Sequence, residues 1–298
     1  MNQTLNPAVE RTANQLLEAS KTLTPLVKIF ETLKTDLKDR TGQIKFKTGI
    51  DSLDYILWGL HKRELLVYGA RTSQGKSCFA VNCARTLSDC NQSVLYLSLE
   101  MSKEQLLERM LSSVCDIDSN LLRTGKALKL VEEREKSFMS WIDRVPLTID
   151  DTNGHHFDKI IDIVKLTSPD FVIVDYIQMI STKGFKDKLS AMEDFVKEIH
   201  LLGKKRNFGT ILISQINRQG VDRPYLENLK GCGFLEEHPD TVILAQWDWE
   251  KQEYIMWVEK QRHGITGKLE VRFEPQFSRF SNEEIPNVEN IKRKDWND

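Results

Sequence analysis

From Thr48 onward, short apolar runs alternate with longer stretches in which apolar residues recur at helical spacing. The short runs predict buried strands at Leu65–Tyr68, Val94–Leu99, Leu147–Ile149, Phe171–Val174, Thr210–Ile213 and Val242–Ala245. The stretches between them predict helices at Ser77–Leu87, Lys103–Val114, Leu130–Trp141, Phe157–Leu166 and Ser190–Arg206. This alternation is typical of right-handed crossovers, so we expect an α/β fold with a mostly parallel central sheet.

The two ends of the chain follow other patterns. The runs Tyr254–Glu259, Lys268–Phe273 and Phe277–Phe280 have no helices between them, which predicts an antiparallel C-terminal extension of the sheet. Residues 7–38 have mostly helical spacing, with Thr24-Pro25 as one plausible helix start. We therefore expect a short helical arm over residues 1–44, a main domain over 45–281 and a polar tail over 282–298. The arm would dock on the main domain or on a neighbouring subunit.

Composition narrows the class of protein. The 298 residues include 42 basic and 44 acidic side chains, a formal net charge of −2. This balance excludes a polycationic DNA coat, so any nucleic-acid surface has to be local. The five cysteines form no CxxC pair, which favours a reducing compartment. Since no stretch approaches the ~18 apolar residues of a membrane span, we expect a cytoplasmic protein without a membrane partner.

The clearest chemical motif lies between the first predicted strand and the helix that follows it. Its residues are Ala70, Arg71, Thr72, Ser73, Gln74, Gly75, Lys76 and Ser77. A loop of this form cradles phosphates with its backbone amides and the helix N-terminus, while the lysine reaches the β- and γ-phosphate oxygens and the serine ligates Mg²⁺. Ala70 stands where the pattern usually has glycine, and Gly69 lies immediately upstream.

Three further polar residues follow predicted strands. Asp175 ends the apolar run Phe171–Val174, and beside a phosphate-binding loop its carboxylate is expected either to hold magnesium through water or to hold Ser77. Glu100 follows the second strand, where it is either a general base for attack on the γ-phosphate or a first-turn acid of the next helix. Gln215 follows a strand in the same way and is a candidate sensor of the γ-phosphate.

Lys260 and Arg262 are two residues apart on a predicted strand and therefore project to one face. Two cations on one face suit a phosphate. Because they lie far along the chain from the phosphate loop, one hypothesis is that they act in trans on a neighbouring subunit's nucleotide. The alternative is a solvated basic strand end.

Taken together, these motifs resemble the motor domain of the DnaB-type replicative helicases, which has a RecA-like fold. The resemblance covers about residues 48–282. Besides the phosphate loop, it rests on Thr48-Gly49-Ile50-Asp51-Ser52-Leu53-Asp54, Leu97-Ser98-Leu99-Glu100-Met101, Val174-Asp175-Tyr176-Ile177-Gln178, Ser214-Gln215-Ile216-Asn217-Arg218 and Lys260-Gln261-Arg262-His263-Gly264.

The resemblance implies roles for the candidate residues. Lys76 and Ser77 would bind ATP and Mg²⁺, Asp175 would hold Mg²⁺, and Glu100 would be the catalytic base. Gln215 would be the sensor, with Lys260 and Arg262 acting in trans. The family's DNA-contacting loop aligns with Lys230, Gly231 and Gly233.

The same resemblance implies a homo-hexameric ring that moves along single-stranded DNA during replication, with a helicase loader or other replisome proteins as further partners. The family's usual N-terminal domain has no counterpart in residues 1–44, so we expect a divergent member without it, whose arm packs on the next subunit. Two alternatives stay open at this stage. One is a RecA-like DNA-dependent ATPase, and the other is a platform that loads or inhibits a helicase, both without processive unwinding.

Overall fold

The computed structural model describes residues 26–39, 44–152, 156–181, 183–217, 223–229 and 232–281. The chain divides into two units, residues 1–43 and 44–298. In the described part, the helices are α1 Leu26–Asp39, α2 Asp51–Leu57, α3 Lys76–Asp89, α4 Lys103–Cys115, α5 Ser119–Arg123, α6 Leu128–Ile142, α7 Phe157–Thr167, α8 Lys188–Arg206 and α9 Cys232–Glu237. The strands are β1 Leu65–Ala70, β2 Val94–Ser98, β3 Leu147–Asp150, β4 Phe171–Asp175, β5 Gly209–Gln215, β6 Thr241–Asp248, β7 Glu253–Gln261, β8 Gly267–Glu274 and β9 Arg279–Ser281.

The strands form one sheet in the order β3-β2-β4-β5-β1-β6-β7-β8-β9. Strands β1 to β6 pair in parallel. Strands β7, β8 and β9 add to the β6 side in antiparallel orientation. The predicted α/β fold with a mostly parallel sheet and an antiparallel C-terminal extension is therefore confirmed.

The central strands are buried on both faces. Along β1, Leu66 and Tyr68 join one apolar cluster with Phe79 of α3, whereas Leu65 and Val67 join a second cluster on the opposite face. This is the alternation that strand geometry imposes. Helices α3, α4 and α6 cover the first face, and α7 and α8 cover the second. Two-sided burial explains why the strands are continuous apolar runs in the sequence.

All six predicted parallel strands are present, with ends that differ by a few residues. The last predicted strand, Phe277–Phe280, is wrong in its first half. Residues Pro275–Phe277 form a 3₁₀ turn, and β9 begins only at Arg279. Ser278 has a φ of 50°, a left-handed conformation that interrupts an extended chain.

Helix α1 is the one element of the predicted arm that lies in the described ranges, and it begins at Leu26, just after Thr24-Pro25. Several of its apolar side chains are largely exposed, among them Leu26, Val27 and Phe30. Residues 1–25 and the predicted tail at 282–298 lie outside the described residues, so the arm's docking stays a prediction. None of the described helices is long and apolar enough to cross a lipid bilayer.

Candidate active site

The phosphate loop connects the carboxyl end of β1 to the N-terminus of α3. Gly75 caps α3 with a φ of 75°, which favours glycine, and among the described residues no side chain caps this helix. A Cβ on Gly75 would also lie 3.1 Å from the Tyr254 hydroxyl. Because Gly75 has no capping side chain, a phosphate can approach the N-terminus of α3, as it does in loops of this kind.

Residues behind the loop fix its backbone. The Tyr254 hydroxyl on β7 donates to the Gln74 carbonyl at 2.7 Å, and it lies 2.7 Å from the Tyr68 hydroxyl on β1. The Gln74 side chain donates to the Trp247 carbonyl at 3.4 Å. The two buried tyrosines therefore connect the loop to the antiparallel extension of the sheet. Neither tyrosine follows a recognisable motif, and sequence reasoning missed both.

Lys76 and Ser77 begin α3 and meet Asp175 at the end of β4. The Lys76 ammonium donates to the Arg71 carbonyl at 3.1 Å and lies 5.9 Å from the centre of the Tyr176 ring. Asp175 is only 4% exposed and accepts a hydrogen bond from the Tyr96 hydroxyl at 2.8 Å. Burial raises the pKa of Asp175, although hydrogen bonds from Tyr96 and Ser77 and the charge of Lys76 oppose that rise.

The hydroxyl of Ser77 and the carboxylate of Asp175 suit a magnesium ion. Both are hard oxygen donors and they are hydrogen-bonded to each other. Mg²⁺ is commonly held by one or two protein oxygens, with water and substrate phosphates completing its shell. In the described ranges, no three acidic, histidine or cysteine side chains gather into a complete metal cage. A site completed by a nucleotide's phosphates therefore fits this chain.

Glu100 lies beside this group and is exposed. The Leu99 amide donates to the Asp175 carbonyl at 2.7 Å, so the chain leaving β2 is fixed against β4 just before Glu100. Burial raises the pKa of Tyr176, and the carboxylates of Glu100 and Asp175 raise it further. Glu100 is consequently within electrostatic range of the Asp175 edge and open to solvent, as a residue that activates water has to be.

Gln215 connects the phosphate loop to a distant part of the chain. Its side-chain amide donates to the Thr72 hydroxyl at 2.8 Å, and its backbone amide donates to the Gln178 side chain at 3.1 Å. Gln178 in turn donates to the Ser214 hydroxyl at 2.9 Å. Gln178 was not singled out from the sequence, although it lies in the Asp175-Tyr176-Ile177-Gln178 motif.

The residues after Gln215 lead to the predicted DNA loop. Ile216 forms a bridge with Leu229, and the Asn217 amide donates to the Asn228 carbonyl at 2.8 Å. A Cβ on Gly69 would lie 2.8 Å from Leu229, so the base of this segment packs directly on β1. The predicted DNA contacts Lys230 and Gly231 lie outside the described residues. Gly233 is exposed in the first turn of α9.

Lys260 and Arg262 are not part of this group. They lie at the end of β7, and the Arg262 amide donates to the carbonyl of Asp240, whose amide donates to the carbonyl of Leu65 at the start of β1. The phosphate loop follows the other end of β1, six residues along. At ~3.3 Å per residue the two edges of the sheet are about 20 Å apart, farther than an arginine side chain reaches.

Both cations contact the end of α9. The Lys260 ammonium donates to the carbonyls of Glu236 and Glu237. The Arg262 guanidinium donates to the Glu237 carbonyl at 2.9 Å and to the Asp240 carboxylate at 3.0 Å. Within one chain the structure therefore brings together Lys76, Ser77, Glu100, Asp175 and Gln215, and it separates Lys260 and Arg262 from them.

Comparison with known proteins finds a matching family and similar curated sequences. The family model for the DnaB-like helicase C-terminal domain matches residues 46–282. The chain is 27% identical over 266 residues to the replicative DNA helicase DnaB of Haemophilus influenzae, covering 83% of this chain and 57% of that protein. It is 29% identical over 270 residues to the DnaB of Pasteurella multocida, covering 84% of this chain and 58% of that protein.

Solved structures support the fold. One solved ATPase domain superposes with a TM-score of 0.80 at 23% identity, covering 88% of this chain and all of that one. A DnaB-like replicative helicase studied with primase superposes with a TM-score of 0.77 at 21% identity, covering 93% of this chain and 72% of that one. The chain spans somewhat more than half the length of the curated relatives that it matches. Since the family model matches well over half of the chain, the protein belongs to the DnaB-like helicase C-terminal domain family.

Proposed function

We propose that this protein is the ATP-hydrolysing motor of a DnaB-type DNA helicase, which uses Mg²⁺-ATP to move along single-stranded DNA during replication. The observation that carries the proposal is the meeting of Lys76, Ser77, Asp175 and Glu100 at one edge of the sheet. Gln215 connects that edge to Ile216 and Asn217, which pair with Leu229 and Asn228. The geometry thus supports both hydrolysis and a route from nucleotide to DNA.

In the proposed reaction a water molecule attacks the γ-phosphorus of ATP. Glu100 accepts the proton, and the bond from the γ-phosphorus to the bridging oxygen breaks, which leaves ADP and phosphate. Lys76 and the amides of residues 71–77 bind the phosphates. Ser77 and Asp175 would hold magnesium, which would supply positive charge to the phosphate oxygens. Gln215, bonded to Thr72, would report loss of the γ-phosphate to the segment 216–229.

The position of Arg262 supports assembly into a ring. Since Arg262 and Lys260 lie at the edge opposite the chain's own phosphate loop, they are available to a nucleotide bound by the next subunit. We propose a homo-hexamer with these cations acting in trans, DNA contacts at Lys230, Gly231 and Gly233, and α1 packing on a neighbouring subunit. Contacts with a helicase loader or other replisome proteins stay predictions.

Forked-DNA unwinding and ATP hydrolysis, measured in the same samples, test the proposal. Glu100→Gln should lower hydrolysis by about 100-fold or more and abolish unwinding, while nucleotide binding is kept. Glu104→Gln, an exposed neighbour on α4, is the matched control and should behave as wild type. Hydrolysis that survives Glu100→Gln would contradict the role of Glu100. DNA-stimulated hydrolysis without strand separation would favour the switch or loading platform instead.

A further inference from the structure

Arg262 forms two hydrogen bonds with one residue, Asp240, which immediately precedes β6. The Arg262 amide donates to the Asp240 carbonyl at 2.9 Å, and its Nη1 donates to the Asp240 carboxylate at 3.0 Å. We infer that Asp240 is a positioning residue, which aims the Arg262 guanidinium at the nucleotide of the neighbouring subunit. This inference rests on the proposed function, because it requires that Arg262 act in trans.

Asp240 is itself buried, and its carboxylate has further contacts besides Arg262. The residue is 4% exposed, its Oδ2 accepts from the Leu65 amide at 2.9 Å, and Nε2 of His200 on α8 lies 3.0 Å from the same oxygen. Its carboxylate is thereby hydrogen-bonded to β1 and in contact with α8. Burial alone would raise the pKa of Asp240, but His200, the Leu65 amide and Arg262 outweigh burial and lower it, so the carboxylate is charged at neutral pH. A fixed charge orients an arginine more strictly than a mobile one.

The two ends of the guanidinium have partners of different strength. Nη1 binds the charged carboxylate of Asp240, whereas Nη2 donates to the backbone carbonyls of Glu237 at 2.9 Å and His238 at 3.3 Å. All of these bonds have a charged donor, but only the bond to Asp240 joins two opposite charges, whose Coulomb attraction a neutral carbonyl does not supply. A phosphate oxygen from the next subunit can therefore replace the carbonyls at Nη2, while Nη1 stays on Asp240.

The exposure of Arg262 fits this exchange. Its side chain is 39% exposed, against 6% for that of Asp240, so the guanidinium lies at the surface above a buried anchor. Lys260 has a different environment, because its ammonium donates to the backbone carbonyls of Glu236 and Glu237. Loss of the Asp240 charge should accordingly affect the aim of Arg262 far more than that of Lys260.

The test uses mixed assemblies of two inactive variants. Lys76→Ala subunits keep Arg262 but lack the phosphate-binding lysine. Arg262→Ala subunits keep that lysine but lack the arginine. Mixing them should restore part of the ATP hydrolysis, at interfaces where an intact phosphate loop faces an intact Arg262. Asp240→Asn is then added to the Lys76→Ala subunits. We expect kcat of the mixture to fall by about 10-fold with KM for ATP unchanged, because the arginine acts on the transition state.

The matched control adds Asp240→Asn to the Arg262→Ala subunits instead. The substitution then lies in the subunit that binds ATP, which has no Arg262 left to position. The restored kcat should therefore not change. Asp240→Glu, which keeps the charge and moves it by one methylene, serves if Asp240→Asn does not fold, and it should lower kcat by a smaller factor on the arginine-donating side alone. If the two parent variants restore no hydrolysis, the trans arrangement in the proposed function is wrong. If they do, but Asp240 substitutions change nothing or act equally from both sides, the positioning role is overturned.

Discussion

Charged side chains lie at the carboxyl edge of the sheet, where the parallel strands end, and at the amino edge, where these strands begin. The partners of the charged groups differ between the two edges. At the carboxyl edge, Asp175 is buried among hydroxyls of Tyr96 and Ser77, and its pKa is raised. At the amino edge, Asp240 has Arg262 and His200 as partners, and its pKa is lowered. Both residues are 4% exposed, but Asp175 lies deeper below the surface, so the depth of burial and the charged partners both contribute to the difference.

At Asp175, burial outweighs the hydroxyl partners and the nearby charge of Lys76, whereas at Asp240 the partners outweigh burial. A buried carboxylate whose charge is compensated only in part costs stability. A carboxylate with an arginine and a histidine is compensated within the chain and stabilises the fold around it. This difference supports placing nucleotide and magnesium at the carboxyl edge and a presented cation at the amino edge.

The largest expected effect is on nucleotide binding. Lys76→Ala should weaken ATP binding by about 100-fold, since a charge-assisted contact to phosphate is lost. Lys62→Ala is the matched control at the amino edge, where Lys62 pairs with Asp170, and it should leave the affinity within about twofold of wild type. Calorimetric titration with ATP measures both. Equal losses in the two variants would remove the distinction between the edges.

Neutralising Asp175 and neutralising Asp240 should change the free energy of unfolding in opposite directions. Asp175→Asn should raise the free energy of unfolding by about 1 kcal/mol while it abolishes hydrolysis, because a buried charge is removed from a functional site. Asp240→Asn should lower it by about 1–2 kcal/mol, because Arg262 loses a charged partner but stays partly solvated. Urea unfolding without nucleotide gives both values. A loss of stability in both variants would contradict the contrast drawn between them.

A smaller effect should appear in the pH dependence of stability. The pKa of Asp240 is below its ordinary value of 3.8 in the folded protein, so its contribution is present above that pH and is lost as the pH falls through the folded pKa. The difference in unfolding free energy between wild type and Asp240→Asn should therefore be constant from about pH 5 to 7 and shrink below about pH 4. Unfolding curves at a series of pH values measure it. A difference that grows as the pH falls would reverse the sign assigned to Asp240.

Much of the fold was predictable because its central strands are continuous apolar runs. The run Phe171–Val174 predicted both the strand β4 and the position of Asp175 at its end. The short helices α2, α5 and α9 were missed, since segments of five to seven residues carry too little periodicity to be recognised. The 3₁₀ turn Pro275–Phe277 was missed because Phe277 and Phe280 fit the pattern of a strand.

The candidate site was predictable only in part. Lys76, Ser77, Glu100, Asp175 and Gln215 each carried a local signal, either a motif or a polar residue at the end of an apolar run. Tyr96 and Tyr254 carried none, since a buried tyrosine in a strand looks like any other core aromatic until its hydroxyl is seen to have a partner.

The order of strands and helices, the phosphate loop and the chemistry available at each strand end follow from local pattern and residue type, so they could be read from the amino-acid sequence. Which strand ends meet depends on the folded arrangement. It brought β1, β2, β4 and β5 together at one edge, and it returned β7 antiparallel, so that Arg262 lies at the other edge beside Asp240. The reason is physical. Strand order and direction depend on how two apolar faces are covered by helices distant in sequence, and no local pattern encodes that choice.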